Sequence, residues 1–396
     1  MSQVLSSPSP ASGAGTGATE RPERAGGTWK VSWSGLRTVA VLDLRQRVRS
    51  SRWLIVLGIW MVILLALTLL IRGAVQQTIE LASGGDIPAA EAARAQESAG
   101  ATVFGLVVFL VLSLGALIAP ALSASSVNGD RSAGILATLQ TTLLTPAEIA
   151  LGKLLAAWLT ALTLLVTAAP FLIWAYFQGG TPVGRLLTTL GVLALTLLVV
   201  CAIGLGWSAV TARTPASTVL TYLTVTFLGL GLPLLFLLST PLVRQEDRVP
   251  VSTQVEGAFE EGEEPSSNSC VTKVEERTRY HTERTWWLLA ASPYVVVADS
   301  APRPAGRDSF GDPLTSIGSA VREVRLGPPT IEDECWSDQA QDQRTEAERR
   351  AAREALGVTW PYGLLIDLGL GAAFTAVAVL RLRTPTRNLP RGTRVA

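Results

Sequence analysis

A single histidine, His281, serves all 396 residues, and only three cysteines stand beside it. Neither a histidine-based metal site nor a Ser/His/Asp triad inside a membrane is tenable on that supply. Charge is also scarce: Asp, Glu, Lys and Arg make up 16% of the chain, whereas a soluble domain carries roughly 25%. A phosphate-binding loop is missing. The "GK" pair Gly152 and Lys153 has Ala147 where a Walker A sequence needs its first glycine, so the chain has no such machinery for ATP hydrolysis. Met1 to Gly27 is rich in Ser, Pro, Ala and Gly and lacks the apolar region of a cleavable signal peptide. It reads as a disordered tail, and the first span is expected to stay in the mature protein. No internal repeat is visible.

What the chain does have is apolar length. Hydrophobic residues reach 48% and are gathered into six runs: Trp53 to Ile71, Ala101 to Leu122, Leu154 to Phe177, Leu186 to Val210, Thr218 to Val243 and Pro361 to Leu380. Each is near the roughly 20 residues that cross a hydrocarbon core about 30 Å thick, and lipid leaves no partner for an unpaired amide, so all six should be helices. The predicted fold class is therefore an all-α polytopic membrane protein with six transmembrane helices. Its expected plan is a disordered tail (1–28), an amphipathic interfacial helix (29–52) and spans one to five (53–243) with a cytoplasmic segment at 123–152. An extracytoplasmic acidic segment (244–360), the sixth span (361–380) and a basic tail (381–396) complete it.

The net charge of +1 hides an asymmetry, because Arg244 to Glu354 holds 22 of the 32 acidic residues and only 14 of the 33 basic ones. Arginines crowd before the first span (Arg45, Arg47, Arg49, Arg52) and after the last (Arg381, Arg383, Arg387, Arg391, Arg394). Positive loops stay inside, so both termini are expected in the cytoplasm and the acidic segment outside, in a multi-pass protein of the plasma membrane. Trp286 to Ala298, "WWLLAASPYVVVA", is too short for a seventh span, contains Pro293 and reads as an interfacial or re-entrant helix. Cys270 and Cys335 both fall in the outer segment. They either pair, which would stabilise a loop of that length by roughly 4 kcal/mol, or stay as free thiols, since spacing does not show that the side chains meet.

Around the first span, Leu36, Val41, Leu44 and Val48 suggest an apolar helix face in lipid, with Arg45, Arg49 and Arg52 toward lipid phosphates. Glu256 to Ser269 reads as a flexible acidic stretch, and Asp338 to Leu356 as a solvated helix with Glu346 four residues before Arg350. Pro170 and Pro233 should kink the third and fifth spans. The first five spans hold no Asp, Glu, Lys, Arg or His at mid-membrane depth, which argues against a proton relay. Asp367 in the sixth is the exception: a structural hydrogen bond or an outer-vestibule position competes with a substrate contact. Ser217, Thr221 and Thr224 recur at i, i+4, i+7 and either line a path or bond their own backbone and pack against a neighbour.

The most ordered loop is "DRSAGILATLQTTLLTPAEIALGKLL", Asp130 to Leu155. Ile135, Leu136, Leu139 and Leu143 share one helix face. Thr145, Pro146, Ala147 and Glu148 then make a capping box with proline at the first helical position, which starts the third span sharply at Thr145. Gly152 permits close approach of another helix, and Lys153 is expected to snorkel to the headgroups.

This stretch resembles the membrane subunits of ATP-binding-cassette exporters of the type 2 class, the ABC-2-type permeases. The matching residues are Asp130, Arg131, Gly134, Leu136, Leu139, Thr145, Pro146, Glu148, Ile149, Gly152 and Lys153, and the six-span plan with its entry helix matches too. The pattern differs at Asn128 and Gly129, where an acid is common, and at Ile135, where threonine is. The resemblance implies a homodimer or heterodimer of six-helix subunits whose coupling segments touch a partner ABC ATPase. ATP and Mg would be bound by that partner and no cofactor by this chain. Membrane lipid is the other expected partner, and nucleic acid is not expected. A polytopic scaffold or sensor working through its outer segment is the rival reading, and a stand-alone carrier using Asp367 a third. Substrate identity is not legible: apolar spans with few hydroxyls suit lipids, drugs, glycolipids or peptides alike.

Overall fold

A computed structural model of the chain describes residues 28–48, 51–82, 89–134, 144–178, 183–254, 270–301, 313–333, 347–349, 351–353 and 355–383. Among these, six helices are long and apolar enough to cross a membrane: Trp53–Ala74, Gly100–Ser132, Pro146–Phe177, Val183–Val210, Thr214–Val243 and Trp360–Arg381. They coincide with the six apolar runs, and the chain is an all-α polytopic membrane protein.

The elements follow in order. α1 (Trp33–Val48) leads into α2 (Ser51–Ala82), α3 (Ala89–Ser123) and the short α4 (Ser126–Ser132). Two long helices come next, α5 (Pro146–Phe177) and α6 (Val183–Val210). The fifth span is composite: α7 (Thr214–Thr226), a π turn (Phe227–Gly231) and α8 (Leu232–Ser239). Beyond it lie β1 (Arg244–Gln254), β2 (Cys270–Tyr280), α9 (Trp286–Ala290), α10 (Pro293–Ser300), α11 (Pro313–Leu326), β3 (Glu332–Asp333) and finally α12 (Trp360–Arg381).

Lipid is as apolar as leucine, so these helices are held by close fit rather than by escape from water. Phe104 and Leu112 of α3, Leu164 of α5, and Leu193 and Leu197 of α6 are enclosed at the centre. Glycines let the backbones meet: a side chain at Gly115 would strike Leu197, and one at Gly206 would strike Phe374 of α12. α2 is peripheral, leaning on this core through Trp60, whose Nε1 donates to the Leu164 carbonyl at 3.2 Å, and Leu64.

The two prolines act differently. α5 runs on as one helix through Pro170. In the fifth span, Pro233 has no N–H to give the carbonyl four residues back, Gly229, and the backbone relaxes there into the π turn. The Ser292 hydroxyl supplies the missing donor to Gly229 at 3.3 Å, from outside the helix.

Three expectations change. The first concerns α1: Leu36, Val39 and Ala40 are its buried face, whereas Val41 is 37% exposed, so the face that matters packs on protein rather than lipid. Second, the segment after the fifth span contains strands. β1 and β2 pair antiparallel from Arg244↔Tyr280 to Gln254↔Cys270, and β3 joins β1 in parallel at Val251↔Glu332. Charged residues on the outer face hid the two-residue alternation that buries Val249 and Val251. Third, Trp286 to Ala298 is not one helix. α9 and α10 form a bent hairpin that enters the bundle, with Val296 and Val297 in the central core, which matches a re-entrant element. Helical residues 347–349 and 351–353 are tied down rather than free: Arg349 and Arg353 reach Glu323 of α11 at 3.6 and 3.4 Å.

The stretch Glu256 to Ser269, the Glu346 and Arg350 pair and Cys335 lie outside the described residues, as does the side chain of Cys270, and with them the Cys270–Cys335 pairing.

Candidate functional site

The site grows from the tetrapeptide Thr145 to Glu148. Thr145 has extended backbone (φ −79°, ψ 155°), its hydroxyl accepts the Glu148 N–H at 3.2 Å, and Glu148 Oε2 accepts the Thr145 N–H at 2.8 Å. Pro146 sits where its missing N–H leaves no gap. This is the capping box, and α5 starts where the spacing placed it.

The second oxygen of Glu148 does something the sequence did not announce. Oε1 accepts both the backbone N–H of Ser32 at 2.7 Å and its hydroxyl at 2.6 Å, so one carboxylate caps α5 and anchors the start of α1. Ser32 in turn accepts the Gly35 N–H, and Thr145 donates its hydroxyl to the Lys30 carbonyl at 2.6 Å. Glycine makes the fit possible. A Cβ at Gly35 would come within 2.8 Å of the Glu148 carboxyl carbon, and one at Gly152 within 2.7 Å of Val39. The close approach expected at Gly152 is made by α1. At the far end of α1, Arg47 donates to the Leu122 carbonyl of α3 at 3.0 Å while Asp43 holds its guanidinium from the other side.

Lys153 does not snorkel. It is 3% exposed and pairs with Asp130 of α4, because the α5 face carrying it is covered by the turn that α4 makes. α4 is itself pinned: Ser208 of α6 accepts the N–H groups of Val127 and Asn128, and Asn128 Nδ2 reaches Thr211 at 3.0 Å and Ser217 at 3.3 Å. The helix stops at Gly134, whose φ of +73° explains the glycine. Arg131 is partly exposed there. Leu136 and Leu139 lie outside the described residues, so the amphipathic face of the coupling segment does too.

The hydroxyl series turns inward. Ser217 and Thr221 are fully buried, Ser217 donating to the Ala124 carbonyl at 2.7 Å and Thr221 to its own helix, while Thr224 accepts the Trp207 indole N–H at 3.0 Å. They pack the fifth span onto α4 and α6.

The ordered connection, the doubly used glutamate and the docked entry helix lie in one stretch of sequence, and residues 37–255 match the pattern of the ABC-2 family transporter proteins. The chain belongs to that family. No individual curated protein matches it. As an ABC-2 family protein it is a membrane component of an ABC transporter, and the described junction of α1, α4 and the start of α5 lies at one end of its bundle.

At the opposite end, sequence reasoning missed the residue that organises the re-entrant hairpin. Asp299, 2% exposed, accepts the Arg322 guanidinium of α11 at 2.6 Å through Oδ1, and the N–H groups of Thr359 and Trp360 at 2.6 and 2.9 Å through Oδ2. It caps α12, which has no capping side chain of its own. The only signal was an acid within an otherwise apolar run, "VVVADS".

Asp367 meets neither structural expectation. It is fully buried one turn from Gly371, which packs on Val199 of α6, and its two oxygens have no hydrogen-bond partner among the described residues. It therefore faces no open vestibule within the single chain.

His281 sits at the base of the strands between two carboxylates, with Glu283 at 2.6 Å from Nδ1 and Asp247 of β1 at 2.7 Å from Nε2. Both partners accept, so both ring nitrogens must donate. The hydrogen bond donated to Glu283, then that to Asp247, raises the imidazole above its ordinary value of 6.5. The resulting stability is fully present below about pH 6.5 and is lost as pH rises through the elevated value of the folded state. Amide exchange across β1 and β2 should accordingly quicken as pH rises through that window, once intrinsic exchange rates are corrected for. In His281→Gln the corrected rates should be flat, and a wild-type profile equally flat would refute the pH-dependent contribution of His281.

Proposed function

We propose that this ABC-2 family protein is the membrane-spanning permease subunit of an ATP-driven exporter of the plasma membrane. It works as a homodimer or heterodimer with a separate ATPase subunit that binds ATP and Mg, and it has no ATPase site of its own. The positive-inside distribution supports an orientation with the α1 end and both termini in the cytoplasm and the strands and α11 outside.

The observation that carries this reading is the locked junction. Glu148, Gly152 and Arg47 bind α1 to α5 and to the end of α3, while Asp130–Lys153 and Asn128 bind α4 to α5, α6 and α7. A push on the loop between α4 and α5 would therefore move several spans as a body, which is what a soluble motor needs. A scaffold has no use for such a lever. Export, rather than import, follows from the resemblance of the Asp130 to Lys153 stretch, and the substrate class stays open.

The test targets Arg131, whose side chain makes none of the bonds above, and Leu139 of the apolar face expected from the sequence. Arg131→Glu combined with Leu139→Arg should reduce co-purification of a nucleotide-hydrolysing subunit by about tenfold, equivalent to about 1.4 kcal/mol, without lowering the thermal midpoint of the permease. Retention of that subunit at wild-type levels would remove the segment from the interface. Should wild type, folded and monodisperse, retain no nucleotide-hydrolysing subunit, the exporter reading falls.

A further inference from the structure

At the end of the bundle away from α1, a cleft of about 520 Å³ opens between the last three turns of α5 and the first two turns of α6. Its walls are apolar throughout: Val166, Ala169, Ile173 and Tyr176 from α5, and Leu186 and Leu190 from α6 are among the lining residues. Val166 and Ile173 are 69% and 55% exposed, so the cleft opens sideways into the surroundings of the span.

Its dimensions select the occupant. From Leu165 to Tyr176 the α5 wall is about 16 Å long at 1.5 Å per residue, and one leaflet of a core about 30 Å thick is about 15 Å deep. Spread over that length, 520 Å³ is a long, narrow space, a shape that suits a single hydrocarbon chain better than a helix about 10 Å across.

Arg185, exposed in the first turn of α6 and without an ion pair among the described residues, immediately precedes the lining residue Leu186 in the chain. Tyr176 closes the end of the cleft with its ring against Phe177 at 5.7 Å. The α6 wall is held in place, since Thr189 donates to the Ser300 carbonyl of α10 at 2.9 Å.

We propose that this cleft binds one acyl chain of a phospholipid of that leaflet, with the lipid phosphate against Arg185. On the orientation proposed above it is the outer leaflet, but the site does not depend on ATP coupling. Burial of the chain against apolar walls supplies affinity, and the guanidinium fixes which end points out.

The test uses the full chain in nanodiscs containing phosphatidylglycerol with a photoreactive diazirine on one acyl chain, and maps the labelled peptides. Label should concentrate on 165–190 in wild type. Ala169→Phe, which fills the cleft from a membrane-facing position, should lower it about tenfold. Arg185→Gln should lower it about threefold, the worth of one exposed ion pair. Val219→Phe, on the exposed face of α7, should leave it unchanged. Even labelling of all spans, insensitive to Ala169→Phe in a protein that elutes as a single species, would mean ordinary boundary lipid and overturn the site. So would a crosslink from 165–190 to a second copy in place of lipid.

Discussion

Asp299→Ala should cost about 3–5 kcal/mol, the largest loss expected from any single substitution outside the central core. Among the partners of that carboxylate are the Arg322 guanidinium and the N–H groups of Thr359 and Trp360 at the start of α12. Removing it leaves a guanidinium that is 8% exposed without its partner and leaves α12 uncapped, since Thr359 Oγ1 makes no bond of its own among the described residues. The loss should appear as a lower thermal midpoint in detergent and as faster amide exchange confined first to residues 286–300 and the start of α12. Replacing both members of the pair, Asp299→Leu with Arg322→Met, should recover part of the loss, because two apolar side chains carry no desolvated charge. If the single change leaves the midpoint within error of wild type, the hairpin is held by its packing alone. That packing is close: a side chain at Gly363 of α12 would strike the Ala290 carbonyl, and one at Gly318 of α11 would come within 3.1 Å of the Ala298 carbonyl.

Glu148→Ala is the second large effect, about 2–4 kcal/mol, from a lost capping box and two lost charge-assisted hydrogen bonds. Its consequence should be regional. α1 loses its anchor at Ser32, so exchange should rise over residues 32–40 while the central core of α3, α5 and α6 stays protected. Glu148→Gln retains a single oxygen acceptor for bonds that both carboxylate oxygens now make, and should fall between wild type and alanine. Under the proposed function, the alanine protein should retain its ATPase partner but transmit less, giving nucleotide hydrolysis uncoupled from transport in vesicles. Wild-type exchange over 32–40 in Glu148→Ala would show that Gly152 and Val39 suffice to dock α1. The sharper reading is that polar and apolar contacts act together there, since Gly35, Leu36, Val39 and Ala40 bury only a narrow face of α1.

These two carboxylates mark the border of what could be read from the residues alone. Six spans were legible because about 20 consecutive apolar residues can have few other fates, and the requirement is local. The start of α5 was legible for the same reason: Thr145, Pro146 and Glu148 complete their bonds within one turn. The second use of Glu148 was not, because Ser32 is 116 residues away and nothing in either neighbourhood names the other. Lys153 went the same way. A lysine near a span end usually reaches for headgroups, and its burial against Asp130 depended on where α4 folds back.

The buried face of α1 was misread because periodicity offers several faces of similar apolarity, and the choice among them belongs to the helix it meets. Strands β1 and β2 were overlooked because a surface hairpin buries only a few residues, here Val249 and Val251, under a sequence full of charge. The hydroxyls of the fifth span, legible as a series, took their meaning from Asn128 and Ala124 on another element.

Span number, helix starts and membrane class thus follow from interactions closed within a turn or from the mere apolarity of a run. Which polar groups are paired, which helix face is covered and where the re-entrant hairpin sits depend on partners brought together across the chain. A buried polar group must find a partner wherever the fold supplies one, and its own sequence neighbours carry no record of which one that is.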